Sequence, residues 1–301
     1  MKKNVVISGA SGFLGRSLLI RMANDEKYQV FALSSDPESL KETILAENIA
    51  FMHKDAVVTE NGKNAFAGAV LINCAYPRNT NGENVADGLR YIYELFEKAK
   101  LNGAEAIINI SSQSLYSSKR TEAASEGTPA CLETAYAVGK YATELLLESI
   151  CNNMDIKYTN IRLASLIGPG FEQRIVNRLT KQAIEKRVIT VNDNNKKFGY
   201  FDIEDAVEGI IAVLDSEEKM KWDRIYNLGG RCLYTLMDIA DAIRSVIPES
   251  IEINVIKEDS EDVFCSAVDS ERFYESFNFE PIVGLTRSVE KIASYYNSKI
   301  E

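Results

Sequence analysis

Gly9-Ala10-Ser11-Gly12-Phe13-Leu14-Gly15 decides how this chain is read. It follows the apolar run Val5-Val6-Ile7 directly, and it leads into a segment with Leu14, Leu18, Leu19 and Met22 on one helical face. Glycine permits the tight turn and lets backbone N–H groups approach an anion, while the helix N-terminus adds its dipole. The spacing is G-x-x-G-x-x-G rather than the commoner G-x-G-x-x-G, and alone it fits any glycine-rich strand-to-helix turn. With a buried strand before it and an amphipathic helix after it, the pattern predicts a site for a dinucleotide pyrophosphate.

Outward from the loop the pattern repeats. Val30-Phe31-Ala32-Leu33, Val70-Leu71-Ile72 and Ala106-Ile107-Ile108-Asn109-Ile110 are apolar on both faces, as buried parallel strands are. From Glu83 to Leu101, Val85, Leu89, Ile92 and Phe96 fall at helical spacing, and Asn102-Gly103 is a C-terminal stop. Strands alternating with helices predict an α/β fold: a doubly wound parallel sheet with right-handed crossovers. The second half is less regular. Asp193-Asn194-Asn195-Lys196-Lys197 reads as a polar loop, and Gly229-Gly230 and Pro248 bracket a helix over Leu236–Val246. The expected division is a dinucleotide-binding domain over 1–167, which also receives parts of 200–230. A smaller α/β region over 168–301 packs on it across a cleft and binds substrate.

The chain has 301 residues, 46% of them apolar and 26% charged, which excludes disorder, collagen-like repeats and coiled coils. Lys plus Arg is 34 against 44 Asp plus Glu, a net charge of −10 that argues against nucleic-acid binding. No apolar run approaches a membrane span, and Val5-Val6-Ile7 is too short for a signal-peptide core, so a cytoplasmic location is expected. The five cysteines (Cys74, Cys131, Cys151, Cys232 and Cys265) form no C-x-x-C pair and read as reduced, small buried hydrophobes. His53 is the single histidine, which argues against a Ser-His or Cys-His nucleophile and against a metal site.

About 20 residues past the glycine loop, the strand end that reads the ribose is Leu33-Ser34-Ser35-Asp36. Ser34 and Ser35 leave room for a 2′-phosphate, whereas Asp36 would repel one, so NAD and NADP both stay open. Tyr136 and Lys140, at i and i+4, project from one helix face. A phenol is a poor base at neutral pH, and an adjacent ammonium stabilises its phenolate. Ser112 lies at the end of the Ile107–Ile110 strand, where such sheets present catalytic groups. A bare Y-x-x-x-K is common on solvated helices. In order with the loop and a strand-end serine, it reads as functional.

Together these pieces resemble the extended branch of the short-chain dehydrogenase/reductase superfamily, the NAD-dependent epimerase/dehydratase group with a Rossmann fold. The likeness adds Asp55; Ser111-Ser112-Gln113-Ser114-Leu115-Tyr116; Arg162-Leu163-Ala164-Ser165-Leu166-Ile167-Gly168-Pro169; Phe201-Asp202-Ile203-Glu204-Asp205; and Tyr226-Asn227-Leu228-Gly229. The resemblance implies Ser112, Tyr136 and Lys140 as catalytic residues. It implies cofactor contacts at Gly9, Ser11, Gly12, Phe13, Leu14, Gly15, Ser34, Asp55, Ala75, Tyr136 and Lys140. Substrate contacts are implied at Ser112, Gln113, Ser165, Arg174, Arg178 and Phe198. Tyr136 then exchanges the proton, Lys140 lowers its pKa and holds the ribose, Ser112 hydrogen-bonds the reacting oxygen, and the bound cofactor takes or gives the hydride.

The departures narrow the reaction. Gln113-Ser114 stands where sugar-nucleotide dehydratases carry an Asp-Glu pair, which argues against water loss. Asn73-Cys74-Ala75-Tyr76-Pro77 replaces a His-x-Ala-Ala run. Ser165 and Phe198 replace an asparagine and an arginine that contact the substrate's nucleotide. A phenyl ring cannot compensate a diphosphate. Either Lys196, Lys197, Arg174 or Arg178 supplies the cation from a shifted position, or the substrate is not a nucleoside diphosphate sugar; standard UDP- and dTDP-sugars are expected to bind weakly. Arg174, Arg178 and Lys181 share one helix face, read equally as a solvated face or an anion contact. His53 reads as a bland packed or surface residue, and the sequon at Asn109 as a buried strand.

The expectation is an NAD(P)-dependent epimerase or reductase acting on an alcohol or ketone of a sugar or sugar nucleotide. No nucleic-acid or membrane partner is expected, and a homodimer is compatible with the family. The alternative is a non-catalytic dinucleotide sensor or scaffold, against which the intact Ser112, Tyr136 and Lys140 argue.

Overall fold

The computed structural model describes residues 2–58, 60–76, 81–152, 156–194, 196–247, 249–257 and 263–299. In chain order the first elements are β1 (Lys3–Ser8), α1 (Phe13–Met22), β2 (Tyr28–Ser34), α2 (Pro37–Thr43), β3 (Ile49–His53) and α3 (Glu60–Phe66). Then come β4 (Ala69–Asn73), α4 (Gly82–Leu101), β5 (Ala106–Ser112), α5 (Ala135–Cys151) and β6 (Lys157–Leu163). The chain continues through β7 (Ser165–Ile167), α6 (Ile175–Lys186), β8 (Val188–Asp193), β9 (Lys197–Phe198), β10 (Tyr200–Asp202) and α7 (Ile203–Asp215). It closes with β11 (Ile225–Leu228), α8 (Leu236–Val246), β12 (Glu252–Lys257), β13 (Cys265–Ser266), α9 (Glu271–Phe277) and α10 (Leu285–Asn297).

The seven-stranded sheet has the order β11-β6-β5-β4-β1-β2-β3. The four apolar runs read as strands are β1, β2, β4 and β5, and their pairings are parallel. The order reverses between β1 and β4, where both chains leave the sheet at their carboxyl ends. In sheets of this kind that reversal point is where ligands bind. Asn81 caps α4, its side chain accepting from the Asn84 N–H, and Asn102 closes it. The Asp193–Lys197 stretch carries the end of β8 and the start of β9; Asn195 and Pro248 lie outside the described residues.

The chain divides into two compact units. The first is Met1–Leu115, Ala130–Arg162 and Ile210–Tyr226. Its core packs Val6, Leu71, Ile107, Phe66, Ile92, Phe96 and Leu147 between sheet and helices. The second is Tyr116–Pro129, Leu163–Gly209 and Asn227–Glu301. It buries Val176, Leu179, Ile239, Ile243, Val289 and Ile292 from α6, α8 and α10 beside β8. The cysteines are not uniformly buried: Cys151 and Cys265 are, whereas Cys131 and Cys232 are exposed. Both exposed thiols sit outside any helix or strand, where no apolar face draws them in. No described helix is long and apolar enough to cross a membrane.

Candidate active site

The glycine loop joins β1 to α1 in the first unit. Gly9 has φ +66°, and a Cβ there would lie 2.6 Å from the Ala75 backbone nitrogen. A Cβ on Gly15 would lie 2.3 Å from the Gly9 carbonyl oxygen, so α1 rests directly on the turn. The Gly12 N–H donates to the Gly9 carbonyl (2.9 Å). A Cβ on Gly12 would meet only that carbonyl, at 3.1 Å, so the space in front of α1 is open. The first turn of α1 has no side-chain cap and no acidic residue, which leaves its amides and dipole to an anion. This cradle fits a dinucleotide pyrophosphate. Ser11 is exposed beside it, Phe13 opens the helix, and Leu14 is buried.

At the tip of β2, Ser34 is buried and its hydroxyl accepts the Asp36 N–H (3.0 Å). Asp36 caps α2 by accepting the Ser39 N–H (3.1 Å) and stays exposed, as does Ser35. Asp55, just past β3, is exposed with its Oδ2 3.3 Å from Nδ1 of the equally exposed His53. Past β4 the Ala75 N–H donates to Asn73 Oδ1 (3.2 Å), which turns the chain against Gly9.

Thr134 caps α5 by accepting the Ala137 N–H (3.1 Å), so Tyr136 and Lys140 fall within the first two turns of that helix. Tyr136 is half-buried and meets the Tyr76 ring edge to face, centroids 5.2 Å apart. Lys140 is 4% exposed; its Nζ donates to the Ile110 carbonyl (2.6 Å) and lies 4.8 Å from the Tyr76 ring centre. Among the described residues, no carboxylate pairs with it. Ser112 closes β5, its hydroxyl accepting the Ser114 N–H (3.1 Å), and Gln113 behind it is buried. Burial pushes the neighbouring Cys74 thiol up to about 12, against the pull of Lys140, so it stays neutral. Burial, then the nearby Tyr136, push the Tyr76 phenol up as well.

Two buried polar systems support this end of the sheet, and sequence reading missed both. Asn73 pairs in register with Ser8 on one side and Asn109 on the other. The Ser8 hydroxyl donates to Asn73 Oδ1 (2.6 Å), and Asn73 Nδ2 donates to Asn109 Oδ1 (2.9 Å). Asn109 Nδ2 then donates to Asn160 Oδ1 (2.8 Å) and to the Thr143 hydroxyl of α5 (3.3 Å). Every amide in this ladder finds partners, as burial demands. Below Ser112, Arg162 binds Glu144 of α5 through two hydrogen bonds (3.0 and 2.8 Å), and the Ser111 hydroxyl donates to the same carboxylate. The available signal was a glutamate four residues after Lys140, on the buried face of a leucine-rich helix.

In the second unit, Ser165 on β7 pairs with Tyr200 on β10, and Phe198 stacks on Tyr200 (5.5 Å, 18° between planes). Burial pushes the Tyr200 phenol up, while the charges of Arg174 and Arg178 pull it down. Ser165 and Phe198 thus both meet Tyr200, whose phenol feels the charges of Arg174 and Arg178. Lys197 is exposed, and the Lys196 ammonium faces the Phe264 ring at 5.9 Å.

Residues 5–229 match the model of the NAD dependent epimerase/dehydratase family. The chain is similar to the uncharacterized UDP-glucose epimerase of Bacillus subtilis, 21% identical over 98% of this chain and 99% of that one. It is also similar to UDP-glucuronic acid decarboxylase 1 of Arabidopsis thaliana, 23% identical over 56% of this chain, a match spanning 38% of the plant protein. Among solved structures, UDP-glucuronic acid 4-epimerase from Bacillus cereus in complex with NAD superposes with a TM-score of 0.85 over the full length of both chains, at 21% identity. The fold follows from that superposition, and the family follows from the match across three quarters of the sequence. The chain belongs to the NAD dependent epimerase/dehydratase family and is an enzyme of the extended short-chain dehydrogenase/reductase type.

Proposed function

We propose that the protein is an NAD-dependent epimerase acting on the sugar of a nucleoside diphosphate sugar. The observation that carries this reading is Lys140, a buried ammonium with no carboxylate partner among the described residues, set one helical turn after Tyr136 and against the same Tyr76 ring. Burying such a charge costs several kcal/mol in a purely structural role. It is useful where a phenol must become phenolate near neutral pH. In this reading Tyr136 takes the proton of the sugar hydroxyl and later returns it, and Ser112 hydrogen-bonds the reacting oxygen. Lys140 stabilises the phenolate and holds the ribose. A nicotinamide dinucleotide held by the glycine loop and Lys140 would supply the hydride chemistry that the side chains lack. Gln113-Ser114 offers no acid–base pair for water loss, which favours epimerisation over dehydration. Asp36, exposed at the ribose end of β2, disfavours a 2′-phosphate and so favours NAD.

The first unit, with its glycine loop, is assigned to the cofactor, and Arg174 and Arg178 of the second to the substrate's diphosphate. The apolar face of α4 and α5 (exposed Tyr93 and Leu145 with half-buried Leu89 and Leu146) is assigned to a second copy of the chain, as exposed apolar patches often are. Sedimentation as a monomer would refute that assignment. For the chemistry, the test is Tyr136→Phe on a panel of UDP-sugars. Turnover should fall by about a hundredfold or more while the calorimetric NADH dissociation constant holds. Full turnover in that variant, or no saturable binding of NADH or NADPH to the parent protein, overturns the reading.

A further inference from the structure

Tyr76 lies among the proposed catalytic groups. Its ring face receives the Lys140 ammonium at 4.8 Å, and Tyr136 meets it edge to face at 5.2 Å. Its hydroxyl is buried with no hydrogen-bond partner among the described residues. That hydroxyl lies over Gly139: a Cβ on Gly139 would fall 1.7 Å from it. The backbone behind Tyr76 is held too, because Asn73 fixes the Ala75 N–H and is itself tied into the amide ladder. Burial keeps the phenol neutral, so Tyr76 offers a π face and not a competing base. Among the described residues, the Lys140 ammonium contacts the Ile110 carbonyl and this ring.

We propose that Tyr76 is a positioning residue that acts through Lys140, its ring holding the ammonium where it meets both Tyr136 and the cofactor ribose. The proposal rests on the assignment of Lys140 above and adds to it the second group that aims the ammonium. A cation over an aromatic face is attracted by the ring quadrupole, and the attraction is strongest where water is excluded. Leucine fills similar space without a π face, whereas phenylalanine keeps the face and loses only an unpartnered hydroxyl.

The experiment is calorimetric titration of NADH into the full chain and four variants: Tyr76→Phe, Tyr76→Leu, Lys140→Met and the double variant Tyr76→Leu/Lys140→Met. Tyr76→Phe should stay within about twofold of the parent, and Tyr76→Leu should bind about tenfold more weakly. Lys140→Met should also weaken binding, and in its background Tyr76→Leu should add nothing. If Leu binds as well as Phe, or its loss persists undiminished without Lys140, the ring acts by packing alone and the proposal is overturned. If Lys140→Met leaves NADH affinity unchanged, the assignment of Lys140 falls and this inference with it. That pattern is distinct from a failure confined to Tyr76.

Discussion

Replacing Glu144 by alanine should be among the most damaging single changes in the first unit. Glu144 and Arg162 have side chains only 5% exposed and are joined by two hydrogen bonds, and Ser111 donates to the same carboxylate. Removing the carboxylate takes its paired charge and two hydrogen bonds from a buried guanidinium, a loss of about 3–5 kcal/mol. The orphaned Ser111 hydroxyl adds about 1 kcal/mol. Against a typical total of about 5–15 kcal/mol this is a large fraction of the stability. Trp222, the single tryptophan, lies in the same unit with its indole against Lys157 (4.5 Å), so its fluorescence reports unfolding there. Urea titration should show a midpoint lowered by that loss divided by the slope, at unchanged slope. The double variant Glu144→Met/Arg162→Met should recover at least half of the loss, because no lone charge remains buried. A loss below about 1 kcal/mol in Glu144→Ala, or a double variant no better than it, would refute the reasoning. Lys140 sits one turn before Glu144, so the pair also sets how α5 presents its phenol and ammonium.

Gly15→Ala places a Cβ 2.3 Å from the Gly9 carbonyl, a backbone atom that cannot step aside, so NADH binding should weaken at least about tenfold. An unchanged calorimetric dissociation constant would refute the loop assignment. Asn109→Leu strips partners from Asn73, Asn160 and Thr143 at once and should cost about 3 kcal/mol or more in urea unfolding. A cost under about 1 kcal/mol would mean the ladder is replaceable. Arg178→Ala should weaken UDP binding about tenfold, with the remaining affinity less sensitive to salt. Equal UDP affinity in parent and variant would remove Arg178 from the substrate site.

What the sequence determined by itself is local. The glycine loop, the doubly apolar strands, the Asn102-Gly103 stop and the Leu236–Val246 helix are legible because period and turn chemistry act between neighbours in the chain. The positions of Tyr136 and Lys140 on one helix and of Ser112 at a strand end were legible through spacing, since a helix face and a strand terminus are local facts too. Only tertiary structure decided the rest. Asn73 and Asn109 are 36 residues apart, Asn109 and Asn160 are 51, and strand register alone brings their amides together. Glu144 looks like one polar position in a leucine-rich helix until the rotation of α5 turns it onto Arg162. Tyr76 reads as a departure from a family pattern until Gly139 makes room for its ring between phenol and ammonium. The second unit takes Tyr116–Pro129 from within the first half, an excursion that no shift in composition marks. Burial, register and helix rotation are properties of the packed chain, so the groups that hold the site together appear only when distant segments meet.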